Sequence, residues 1–153
     1  MSKRNNLIII MLMIVFLTGC DKSIEIGAVA EQAVNTYDGI TMEIMDGTVS
    51  ATGMTIEIIN QTDTEVNSGN ENDFAIQVKR DGTWYEIPTK ERNNTGEAII
   101  FLKDAPVQME ISWRSIYGFL PKGNYRIVKG FFPWTEEKGR GATFVLGAEF
   151  CIE

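Results

Sequence analysis

The chain has 153 residues, 44% of them apolar and 23% charged, which is the usage of one folded domain with small extras. A formal net charge of −7 opposes binding to phosphate backbones, so nucleic acid is excluded as a partner, and opposes binding to anionic head groups without an anchor. There is no histidine, which removes Ser-His-Asp and Cys-His machinery, every zinc site that needs imidazole, and the side chain best suited to proton transfer near neutral pH.

At the N-terminus, Lys3 and Arg4 lead into an uninterrupted apolar run of eleven residues, Leu7 to Leu17. A helix of that length reaches about 16 Å, well short of the ~30 Å hydrocarbon core of a bilayer. The segment therefore reads as the apolar region of a signal peptide rather than a membrane span. The run ends in Leu17-Thr18-Gly19-Cys20. These four residues resemble the lipobox of bacterial lipoproteins: an aliphatic residue, a small residue, glycine and the acylated cysteine. The resemblance implies a signal peptide over 1–19, cleavage before Cys20, and a lipid thioether on Cys20 that holds the chain to the extracytoplasmic face of the cell membrane. Two or three acyl chains suffice for stable anchoring, where one is marginal. Asp21 resembles an inner-membrane retention signal of double-membraned bacteria and carries no such meaning in single-membraned ones. Without Lys3 and Arg4, the 14 basic residues fall to 12 against 21 acidic, a net of −9.

Residues 20–38 are expected to be the lipidated cysteine and a tether; a short helix around Ala28–Val34 and a first edge strand at Ile24–Ile26 are the alternatives. From residue 39 to 153 the hydrophobic period is mostly two. Ile40, Met42 and Ile44 alternate with polar neighbours, as do Met54, Ile56 and Ile58, then Phe74, Ile76 and Val78. The same holds for Val107, Met109, Ile111 and Trp113, and for Phe144, Leu146, Ala148, Phe150 and Ile152. This alternation marks strands with one face in a core and one in water. Asp81-Gly82 between two apolar runs predicts a tight hairpin, and Asn93-Asn94-Thr95-Gly96 and Pro121-Lys122-Gly123-Asn124 predict further turns. Asn60 to Asp73 is expected to be a polar connection. The sum is seven or eight short strands in an antiparallel, Greek-key sandwich. About 115 residues can bury enough apolar surface to fold alone.

The stretch from Trp113 to Lys129, with Tyr117-Gly118-Phe119-Leu120-Pro121-Lys122-Gly123-Asn124-Tyr125-Arg126 inside it, is more specific. It resembles the bacterial Ig-like domain found in lipoproteins of single-membraned bacteria, where a tryptophan ends one strand and Tyr-Gly-x-Leu-Pro-x-Gly-x-Tyr-Arg leads into the next. Asp81 to Pro88 and Ala148 to Ile152 are similar to the hairpin and final strand of that family, in the same order, so the resemblance covers about residues 40–153. It implies an all-β, Ig-like fold in which Trp113, Tyr117, Gly118, Pro121, Gly123 and Tyr125 are structural, with Tyr125 forming a tyrosine corner. It carries over no catalytic residues.

Three further features bear on function. Cys151 reads as a small apolar residue of the last strand, with a redox role as the alternative; Glu149 and Glu153 beside it disfavour a reactive thiolate. Asp63-x-Glu65-x-Asn67 begins like a calcium loop, but its sixth and twelfth positions are Ser68 and Phe74 instead of glycine and glutamate, so no metal site is expected. Phe131-Phe132-Pro133-Trp134 opens a long loop to about residue 141 that carries mixed charges. Trp134, with Phe132, is the candidate partner contact; the alternative is a lid packed over the end of the sandwich. The expected function is a non-catalytic, membrane-anchored binding or accessory module without a cofactor, with a protein or cell-wall partner. The alternative is an inhibitor of exported proteases, presenting residues 88–97 or 131–141.

Overall fold

The computed structural model describes residues 23–89 and 96–153. The expected signal peptide, Cys20 and Asp21 lie outside the described residues, as do Asn93, Asn94 and Thr95 of one expected turn.

The described residues form ten strands and no helix: β1 (Ile40–Ile44), β2 (Gly53–Asn60), β3 (Glu65–Gly69), β4 (Ala75–Arg80), β5 (Thr83–Glu86), β6 (Ala98–Phe101), β7 (Val107–Ser112), β8 (Gly123–Thr135), β9 (Gly139–Arg140) and β10 (Phe144–Ile152). They build two antiparallel sheets. The small one has the order β1-β2-β7. The large one is organised around β8, which pairs with β4 and then β3 along one edge and with β10 and then β9 along the other; β5 and β6 are its outer strands. The chain is an all-β, Ig-like sandwich.

The alternation read from the sequence is the alternation of burial. Ile40, Met42, Met54, Ile56, Ile58, Met109 and Ile111 of the small sheet face Ile76, Val78, Tyr125, Ile127, Phe131, Leu146 and Phe150 of the large one in a single core. Their partners one residue away, such as Thr41, Glu43 and Glu110, are exposed. Asp81 and Gly82 take left-handed conformations (φ 49° and 79°) between Arg80 and Thr83, which are paired, so this is the tight hairpin that Asp-Gly predicts.

Three elements differ from expectation. The polar connection 60–73 contains β3, which pairs with β6 and β8. Its sequence, Glu-Val-Asn-Ser-Gly, conceals a strand because Val66 is its one large apolar residue. Second, the loop expected from residue 131 begins as strand: β8 continues through Pro133 to Thr135 and returns as β9. Pro133 has no N–H to donate, and its carbonyl accepts instead from the Gly141 amide (2.8 Å). These additions raise the strand count above the seven or eight expected.

The third difference is the segment expected as a tether. Over residues 23–38 it lies against the large sheet. Gly27 and Ala30 donate to Glu86 and Trp84 carbonyls at 2.8 and 2.9 Å, along the outer edge of β5. Asn35 then donates its amide to the Val145 carbonyl, and its side chain makes a reciprocal pair with Gly147 on the far edge of β10. Between these two edges the segment crosses the outer face of the sheet as a strap. Val34 packs over Gly147. Val128 faces outward from β8 yet is buried.

Candidate recognition face

The Trp113–Tyr125 motif holds the core. The Trp113 indole donates to the Ala51 carbonyl (2.9 Å) and stacks on Phe150, whose ring in turn stacks on Tyr125, each pair with centroids 5.5 Å apart. The Tyr125 hydroxyl donates to the Pro121 carbonyl at 2.7 Å, four residues upstream, the bond that defines a tyrosine corner. Burial raises the pKa of this phenol. Tyr117 accepts from the Ile76 amide (3.0 Å). Gly118 sits at φ 74° in the turn between the sheets, and Gly123 opens β8, where a Cβ would lie 3.3 Å from the Tyr125 ring. All six residues shape the crossover from β7 to β8.

Several oxygens of the segment 63–73 are engaged, although the buried Ser68 hydroxyl has no hydrogen-bond partner. Asp63 pairs with Lys103, which holds its carboxyl below the usual range, and Glu65 accepts from Asn67. The bend after β3 wraps an ammonium: Lys129 Nζ donates to the carbonyls of Gly69, Asn70 and Asp73 at 2.8, 2.7 and 2.9 Å. Lys129 is 1% exposed, and burial pulls its pKa down to about 8, against the opposing pull of Asp73 and Glu71. Among the described residues no cluster of three or more carboxylate, cysteine or histidine groups could hold a metal. Cys151 lies in the last strand, β10, on the face that alternates with Phe150, and is exposed.

A second polar row covers the other part of the large sheet. Glu86, Gln77, Arg126 and Glu149 occupy one register line across β5, β4, β8 and β10. Gln77 donates to Glu86 at 2.7 Å and accepts from Arg126 at 2.5 Å. The guanidinium lies 4.7 Å from the centre of the Trp84 ring and Lys79 lies 5.0 Å from it. These groups satisfy one another and leave little for a ligand.

The outer face of β6-β3-β8-β9 is different. Register places Ile100, Asn67 and Phe132 in one line, and Glu65, Trp134 and Arg140 in the next. Ile100 is 52% exposed, Leu102 two residues on is 58% exposed, and Trp134 is 44% exposed. Phe132 is half-buried beneath the Arg140 guanidinium, 4.0 Å from its ring centre. Trp134 is thus neither a lid on the core nor a side chain on a slack loop; it stands at the end of a paired strand. The hairpin beyond it is fixed by Gly139 in the left-handed conformation (φ 67°) and by the Lys138 amide donating to Thr135 Oγ1 (3.1 Å). A Cβ on Gly141 would sit 2.7 Å from Pro133, so this glycine permits close packing rather than looseness.

The family model of the bacterial Ig-like domain matches residues 36–150. The chain belongs to the bacterial Ig-like domain family. Domains of this family are typically non-catalytic, which agrees with a face of apolar and aromatic side chains and with a binding or accessory domain. The matched span takes in the sandwich up to Phe150, two residues short of the end of β10, and leaves most of the strap outside it. No curated protein and no solved structure matches the chain.

Proposed function

We propose that this protein is an extracytoplasmic lipoprotein, anchored through Cys20, whose Ig-like domain recognises a protein or cell-wall partner through the face carrying Trp134. The observation that carries the reading is that Ile100, Leu102 and Trp134 all stand exposed on one four-stranded face. Ile100 and Leu102 stand on the β6 side and Phe132 and Trp134 on β8, with Glu65 and Asn67 of β3 between them and Arg140 beyond, and exposed apolar side chains gathered on one face in this way mark interaction sites on soluble domains. A paired strand end also presents an aromatic at low entropic cost. The lipobox supports the anchoring, since Cys20 closes an apolar run too short to span a bilayer, and no helix among the described residues is long and apolar enough to cross a membrane.

Inhibition of an exported protease is the weaker reading. An inhibitor offers an extended loop to a cleft, whereas residues 131–141 form a closed hairpin with a three-residue tip between Thr135 and Gly139. Trp134→Ala tests the recognition face. Capture of the partner from its own cell envelope should weaken by about 2 kcal/mol or more while the melting midpoint stays nearly constant. A fall in midpoint with unchanged affinity per folded molecule would return Trp134 to a structural role.

A further inference from the structure

The described chain begins at Ser23, three residues after Cys20. Three residues reach at most about 11 Å. Ser23 and Glu25 line a groove of about 390 Å³ whose opposite wall is the β7–β8 turn, with Tyr117, Phe119 and Pro121. Phe119 is 62% exposed, the most exposed large apolar side chain among the described residues. Two cations flank it on the same turn: the Arg114 guanidinium lies 5.2 Å from its ring centre, and Lys122 is three residues on and exposed. Glu25 is the one carboxylate in the groove lining. In a chain with a net charge of −7, an aromatic between two cations is a local reversal of sign.

We propose that the Phe119 turn is a second membrane contact, in which the ring enters the interface of an anionic bilayer while Arg114 and Lys122 meet its head groups. This rests on the anchoring reading above. An aromatic ring suits the boundary between acyl chains and head groups, and basic side chains near it gain from the surface potential. One ring would not hold a free domain on a membrane. The Cys20 lipid makes the contact intramolecular, so a weak insertion suffices. The domain then rests on the bilayer by this turn, and the Trp134 hairpin lies at the opposite end of β8 from it.

The full-length lipidated protein, reconstituted in vesicles of phosphatidylcholine and phosphatidylglycerol, tests this with Phe119→Trp and acyl-chain-brominated lipids. The emission added by the new tryptophan should be blue-shifted and mostly quenched by bromine, while the emission of the parent protein is not. Phe119→Ser should leave the protein on the vesicles through its lipid yet release the turn, seen as faster proteolysis within residues 114–122. Equal quenching of variant and parent would overturn the proposal. So would a blue shift that depends on protein concentration and not on bromine, which would mean that a second copy covers the turn. Failure of the parent protein to float with vesicles would overturn the anchoring reading itself, and is read separately.

Discussion

Tyr125 does two jobs that can be separated by substitution. Its ring stacks on Phe150 in the core, and its hydroxyl closes the corner at Pro121. Tyr125→Phe should cost about 1 kcal/mol, the net worth of one buried hydrogen bond, and Tyr125→Ala about 3–5 kcal/mol, as for other core aromatics. Denaturant midpoints of the two variants check both figures, and unchanged midpoints would remove the corner from the account. Lys129 makes a prediction in pH. Its folded pKa of about 8 lies below the ordinary 10.5, so the unfolded chain holds the proton more tightly. Between those two pH values the unfolded state binds more protons, and stability rises as pH rises; below about pH 8 both states are protonated and the contribution is flat. Measured against Lys129→Met, the parent protein should gain up to about 3 kcal/mol across that window. A difference that stays constant with pH would contradict the burial of this ammonium. The corner was legible in the sequence because Pro121, Gly123 and Tyr125 form a contiguous motif. The Lys129 cradle was not, since its three carbonyls belong to backbone some sixty positions earlier, which side-chain chemistry cannot announce.

At the level of elements, the strands that carry alternating large apolar residues were readable, and those that pair through backbone alone were not. β2 and β10 declare themselves through Met54, Ile56 and Ile58 and through Phe144, Leu146 and Phe150. β3 is strand because β6 and β8 offer it partners on both edges, a tertiary fact. The same limit hid the strap. Its hydrogen bonds go to the free edges of β5 and β10, and nothing in residues 23–38 states which edges those are. Asn35→Ala tests it: loss of the reciprocal pair with Gly147 should cost about 1 kcal/mol and speed hydrogen exchange at the Gly147 amide, with Ile127 in the sheet centre little changed. Equal exchange at Gly147 in both proteins would mean that the strap does not cover the sheet in solution. Of the proposed recognition face, Trp134 and Phe132 are singled out in the sequence by their place beside Pro133. Ile100, Glu65 and Asn67 joined them only once the register of β3 with β6 and β8 was known.

The whole molecule combines a sandwich, a strap whose first described residues line the groove beside the Phe119 turn, and the proposed recognition face at the other end of β8. The proposed roles of the Phe119 turn and of the Trp134 face rest on the chain being held at a membrane with its domain outside. An acidic domain without that anchor has no reason to stay at an anionic surface. The central claim is therefore the lipid on Cys20. Cells expressing the full chain or its Cys20→Ser variant, grown with a clickable fatty-acid analogue, measure it directly. Label should appear on the parent protein at its mature size, and the variant should be unlabelled and uncleaved, because a hydroxyl cannot form the thioether. Equal label on both proteins, or none on the parent, would contradict lipidation at Cys20.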